Sequence, residues 1–262
     1  MTYPARVFFL GGLLSYRALF NWLTPWILVP TFLVAPIFQI LLFAYIGRSA
    51  NLESDEFYVI GNALQYTSLP CLFAMANMLG DERWSQTLGI LLSSPASRLA
   101  LFLGRSLPVI LNGALVGAFG FVAGSLILDV HVPASAFAPL ALVIVVTAVS
   151  CTGLGLVNGA IGLRVRESAV SSNIVFGLLL VLCGVNVPLD ELPSWMETIG
   201  RALPLTHGIE AARELADGAR LADVGGLIAT EAAIGLVWAV VGCTLLRFLE
   251  VEARRRATLE SS

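Results

Sequence analysis

Residues 132–163 read VPASAFAPLALVIVVTAVSCTGLGLVNGAIGL, 32 consecutive positions without an ionisable side chain. A charge at the centre of a bilayer is costly, and about 20 helical residues cross the hydrocarbon, so such a run reads as a membrane-spanning helix. Five more windows of the same kind surround it: 18–47, 57–80, 106–128, 168–189 and 224–246, the last interrupted only by Glu231. All are continuously apolar, whereas strands of a transmembrane barrel alternate over about ten residues, so a closed barrel is excluded. Helices also satisfy their own backbone, as hydrocarbon demands. The expected fold is an all-α polytopic membrane protein, one domain over 1–262. Its six transmembrane helices are expected at about 25–46, 57–80, 106–128, 138–163, 168–187 and 224–247.

Composition agrees. Of 262 residues 57% are hydrophobic and 13% charged, and the mean hydropathy is +0.85. A soluble domain carries roughly a quarter charged residues. All 15 basic residues are arginine. Without lysine there is no P-loop and no Schiff-base chemistry. A net charge of -3 supplies no basic field for nucleic acid. Cys71, Cys151, Cys183 and Cys243 each lie inside an apolar run without CxxC spacing, which predicts buried packing in place of a metal site or disulfide.

Orientation follows from arginine placement. With a cytoplasmic N-terminus, eleven arginines fall inside and four outside (Arg48, Arg201, Arg213 and Arg220), the bias that short cytoplasmic loops carry. Both termini are then cytoplasmic. Residues 4–22 have an apolar stretch too short to span and no small-residue cleavage site, and are expected to lie as an amphipathic helix in the inner interface.

Two connections are themselves helical. In 82–95, Trp84, Leu88, Leu91 and Leu92 form one apolar stripe opposite Arg83 and Gln86, and Pro95 ends the helix. From periodicity alone it either packs on the inner leaflet or docks a partner. In the outer segment, about 190–215, Trp195, Ile199 and Leu203 recur every four residues between Pro193 and Pro204, as suits an interfacial helix. A second helix over about 209–215 carries Glu210, Arg213 and Glu214.

At these two segments the chain resembles the type-2 permeases of ATP-binding-cassette exporters (ABC-2 type), the group that includes drug-resistance and lipo-oligosaccharide or polysaccharide export permeases. The matching residues are Glu82, Thr87, Leu88, Leu91, Leu92, Ser93 and Pro95, then Leu192, Pro193, Trp195, Ile199, Leu203, Pro204, Thr206 and Arg213. Gly89 stands where that family commonly has an acidic residue. The resemblance implies a permease that dimerises with a second copy or a homologous permease and binds a separate ABC ATPase subunit, which holds the ATP and Mg. The chain itself is then no enzyme, with no catalytic residue, cofactor or metal of its own. The ATPase-coupling residues would be Glu82, Arg83, Trp84, Thr87, Leu88, Leu91 and Leu92. The outer segment is expected to be re-entrant, around Trp195, Pro204 and Arg213.

Four further residues are expected along the substrate pathway or its gating. Pro30 and Pro36 would bend the first span, Asn173 would offer an amide from the fifth, and Glu231 is the one ionisable residue within a span. Glu231 could instead hydrogen-bond the re-entrant segment, and Asn173 and Asn186 could serve as helix-end hydrogen bonders. Glycines at four-residue spacing, Gly113 with Gly117, Gly120 with Gly124 and Gly155 with Gly159, predict close helix packing within the chain. Compact loops favour a small or amphiphilic, drug- or antibiotic-like cargo, with a lipid-linked oligosaccharide or polysaccharide as the alternative. An ion-coupled secondary transporter is the alternative of another class; one intramembrane acid serves it poorly. Exclusive use of arginine suggests a GC-rich bacterial genome, hence the bacterial cytoplasmic (inner) membrane.

Overall fold

The computed structural model describes residues 26, 29–84, 98–162 and 168–260. Among these there is no strand. Eight α-helices follow in order: α1 (Ala35–Ala50), α2 (Asp55–Trp84), α3 (Arg98–Leu128), α4 (Phe137–Gly162), α5 (Ser168–Leu182), α6 (Ser194–Ala202), α7 (Thr206–Ala216) and α8 (Gly225–Glu260). The expected interfacial helix at 4–22 lies outside the described residues, as do 85–95.

Local chemistry sets the boundaries. Pro30 falls within a π-helical entry, Val29–Val34, and Pro36 sits in the first turn of α1, where a missing N–H is tolerated. α1 ends at Asn51, which adopts the left-handed conformation (φ 50°) and returns its N–H to the carbonyl of Arg48 at 3.3 Å. The Ser54 hydroxyl then accepts the Phe57 N–H at 3.3 Å and caps α2. Arg48 pairs with Asp55 across this short turn.

α2 and α4 form the middle of the bundle. α3 and α8 flank α4, while α1, α5 and α7 lie against α2. The α4–α8 contact is a seam of small residues. A Cβ on Gly235 would stand 2.5 Å from the Ser150 Cα, and one on Gly153 would stand 2.5 Å from the Gly235 carbonyl. Gly113 of α3 lies as tightly on Cys71 and Thr67 of α2, and Gly155 of α4 on the Cys71 carbonyl, so the glycine spacing marks packing within the chain. Cys71, Cys151 and Cys183 are buried and free, and Cys243 is half-buried.

Among the described residues, four stretches are long and apolar enough to cross a membrane: Val29–Ala50, Ser106–Leu128, Ala134–Gly162 and Gly225–Leu249. The other two expected spans depart from that standard for different reasons. α2 has ample length, 30 residues, but Asn62, Gln65, Thr67 and Ser68 dilute its hydropathy, and all four are buried. A central helix shielded by its neighbours can carry such residues where a lipid-facing one cannot. α5 counts 15 residues among those described, which resume at Ser168. It stops at Leu182, five residues short of the expected 187, because 183–187 bend away through Gly184 at φ +72°. Around the bundle Phe38, Leu42, Leu126, Val145, Leu236 and Phe248 are exposed, the apolar surface that lipid would cover.

Candidate functional site

The helices α6 and α7 form a hairpin whose turn, residues 203–205, enters the bundle. Pro193 precedes α6 and Pro204 lies in the turn, as the spacing predicts. Trp195 and Ile199 stay exposed on α6. On the other side, Thr206, Gly208, Ile209, Ala211, Ala212 and Leu215 of α7 are buried against α4, α8 and α2.

Glu231 holds this turn. Its side chain is 1% exposed; one carboxylate oxygen accepts the Leu205 N–H at 2.8 Å and the other the Gly208 N–H at 3.3 Å. These are N–H groups of the first turn of α7, which have no partner within their own helix, and a carboxylate there also meets the positive end of the helix dipole. Leu205 needs the support, because its φ of +95° is strained for a residue with a branched side chain. The Trp238 indole N–H donates to the Ala202 carbonyl at 3.0 Å, the Thr206 hydroxyl to the Gly200 carbonyl at 2.6 Å, and Gly200 lies against the Leu182 carbonyl. Glu231 and Trp238 follow Gly225 by about 9 and 20 Å along α8, so the turn reaches well into the level of the last span. Of the two roles open to Glu231 in sequence, hydrogen bonding to the re-entrant segment is the one the geometry displays.

Charged side chains brace the hairpin beside its turn. Arg201 pairs with Glu197 at 3.0 Å and Glu210 at 3.6 Å. His207 places Nδ1 3.1 Å from Glu210 and Nε2 3.2 Å from the Arg201 carbonyl. Both ring nitrogens face acceptors, which only the imidazolium satisfies at once. The Glu210 hydrogen bond accordingly raises the His207 pKa, and its counterpart from His207 lowers that of Glu210.

Arg213 ties the hairpin to the break after α5. Its guanidinium donates to the carbonyls of Val185 at 3.1 Å and Phe57 at 3.3 Å and lies 3.4 Å from the centre of the Phe57 ring. Burial pushes its pKa down to about 9, which leaves it charged at neutral pH. Gly61 has no side chain because the Val185 carbonyl and Arg213 occupy that space.

A second polar group lies where α1, α2 and the α5 break meet. The Gln39 amide donates to the Asn62 side-chain oxygen at 2.8 Å and to that of Gln65 at 2.6 Å. Asn62 donates to the Asn186 side-chain oxygen at 2.8 Å, and Gln65 to the Phe176 carbonyl at 3.4 Å. One turn along α2, Tyr66 meets Phe176 edge to face at 5.7 Å and packs with Phe32. Charge-free windows hide this group, since carboxamides carry no charge; the Asn62–Gln65 spacing of three within an apolar run is the signal that would have found it.

The remaining expected residues are dispersed. Asn173 is exposed on α5 and returns its amide to the Ala169 carbonyl at 2.9 Å. Pro30 is exposed, and Pro36 is buried near Gly120. α2 runs on through Glu82, Arg83 and Trp84. Their side chains, and Thr87, Leu88, Leu91 and Leu92, lie outside the described residues.

A bundle of apolar helices, four of them among the described residues long and apolar enough to cross a membrane, defines a multi-pass α-helical membrane protein. The chain matches the family described as ABC-2 type transporter over residues 11–216, and it belongs to that family. No curated protein matched the chain. It is therefore the permease component of an ATP-binding-cassette transport system, a part that moves cargo and performs no catalysis.

Proposed function

We propose that the chain is the permease subunit of an ATP-driven exporter that moves a small or amphiphilic, drug- or antibiotic-like molecule across the bacterial cytoplasmic membrane. Two permease copies, or this chain and a homologous one, pair within the bilayer and engage separate ABC ATPase subunits. The family match over 11–216 carries this reading. The sequence adds to it, because a chain without lysine has no P-loop lysine with which to work ATP itself.

Six crossings with both termini in the cytoplasm fit the arginine distribution, with α2 and α5 as the two protein-shielded or shortened members. In this arrangement 82–95 is the coupling element. As α2 is continuous to Trp84, a push on that element would travel along the central helix to Asn62 and Gln65. A lipid-linked oligosaccharide or polysaccharide cargo would use the same machinery. Ion coupling is disfavoured because the Glu231 carboxylate is already engaged by two backbone N–H groups.

Affinity purification of the full chain from native membranes tests the partnership. An ABC ATPase should co-purify, and substitution of Glu82 or Leu88 should uncouple its turnover from transport while leaving membrane insertion intact. A chain that purifies without an ATPase and transports unaided would contradict the proposal.

A further inference from the structure

We infer that His207 is a proton-operated latch within the hairpin: as an imidazolium it ties the end of α6 to the first turn of α7, and on giving its proton to water it lets α6 go. The inference concerns regulation of the hairpin and holds whatever the cargo.

The last carbonyls of a helix have no partner within it and need donors from outside. In α6 three side chains supply them. The Thr206 hydroxyl donates to the Gly200 carbonyl at 2.6 Å, His207 sets Nε2 3.2 Å from the Arg201 carbonyl, and the Trp238 indole donates to the Ala202 carbonyl at 3.0 Å. Of these three donors the imidazole alone changes its charge around neutral pH. As a cation it also suits the negative end of the α6 dipole. Its other nitrogen, Nδ1, lies 3.1 Å from the Glu210 carboxylate. A neutral ring has one N–H to share between two acceptors. The carboxylate is the stronger of them and keeps that hydrogen, so Nε2 then turns a lone pair on the Arg201 carbonyl. Deprotonation therefore breaks the bond to α6 and spares the one within α7.

The packing makes α6 the part that yields. Most of α7 is buried, and Glu231 and Arg213 fasten it to the bundle. In α6 only Gly200 is buried, and Trp195 and Ile199 are exposed. The charged groups about the ring favour the imidazolium. They are Glu210 on α7, Arg201 with Glu197 on α6, and Glu231 on α8. α4 and the break after α5 bring only the buried thiols of Cys151 and Cys183. Beside α2, Glu53 and Tyr58 act on Arg213, and Glu56 faces Asp217. The Glu210 bond raises the His207 pKa against the opposing effect of burial.

Hydrogen exchange of the full chain in lipid nanodiscs, from about pH 5.5 to 8.5 and corrected for intrinsic rates, tests the latch. The scan stops short of the Arg213 pKa of about 9. Exchange in α6 should rise about tenfold as the pH climbs, the loss of one charge-assisted hydrogen bond. α7 should change less, and the α4–α8 seam not at all. His207→Gln should abolish the step in α6. Glu210→Gln should move it to lower pH, because the imidazolium loses its countercharge, and a side chain that merely fills space would not move a midpoint. Exchange in α6 that ignores pH in the wild-type chain, a step that survives His207→Gln, or a midpoint unmoved by Glu210→Gln would overturn the inference.

Discussion

Glu231 and Leu205, 26 positions apart in sequence, are joined at 2.8 Å by a backbone N–H donating to a buried carboxylate. This bond fixes a strained turn to the last span. Because Gly208 N–H occupies the other carboxylate oxygen, the acid behaves as a cap supplied from another helix. An intramembrane acid invites a transport role by default, yet here its geometry is that of a brace for the hairpin.

Glu231→Ala should therefore leave two buried N–H groups unpaired and destabilise the protein by about 2–5 kcal/mol. Glu231→Gln keeps an acceptor for one of them and should cost less. Thermal unfolding in mild detergent reads both, and the glutamine variant should keep exporting. Equal melting temperatures for wild type and Glu231→Ala would remove the bracing role.

His207 and Glu210 give the hairpin a pH window. The His207 pKa is raised, so its contribution is complete below about pH 6.5 and is lost as pH rises through the higher folded value. The Glu210 pKa is lowered, so its contribution is complete above about pH 4.5 and is lost as pH falls through the lower folded value. Hydrogen exchange of α7 amides, corrected for intrinsic rates, should be slowest between those limits. His207→Gln should flatten the alkaline side and also reduce the acid side, because the hydrogen bond from His207 is the largest cause of the lowered Glu210 pKa.

Arg213→Lys retains the charge but loses the planar guanidinium that lies over the Phe57 ring while its Nη2 donates to both the Val185 and the Phe57 carbonyl. A loss of about 1–3 kcal/mol is expected. Faster exchange in 183–187 and at the start of α2, with the α4–α8 seam unaffected, would localise the effect.

Gly235→Val forces a branched side chain against Ser150, where even a Cβ would stand 2.5 Å from the Cα. Overpacking of this kind should cost about 1–3 kcal/mol or more. Gly177 of α5 has open space for 4 Å around the position a Cβ would take, so Gly177→Ala should be neutral or stabilising by about 0.5–1 kcal/mol. Matched melting curves separate the two, and equal effects would mean the seam is not tight.

Much of the bundle was legible because a bilayer punishes charge, and arginine spacing therefore marks where helices cross. Trp195 lies on an exposed face of α6 and Pro204 in the turn that follows it. Two features were hidden. α5 stops at Leu182 because 183–187 are held by Arg213 and Asn62, tertiary contacts to which hydropathy is blind. Gln39, Asn62 and Gln65 escaped notice because uncharged amides leave an apolar window looking intact. Asn186 was noticed, but its partner 124 positions away could not be read from spacing.

The most direct measurement is transport by purified chain in proteoliposomes, with and without its co-purified ABC ATPase, using an amphiphilic, drug-like dye as cargo. Movement only when the ATPase and hydrolysable ATP are both present is the predicted result. Accumulation driven by a proton or sodium gradient with the chain alone would contradict the account.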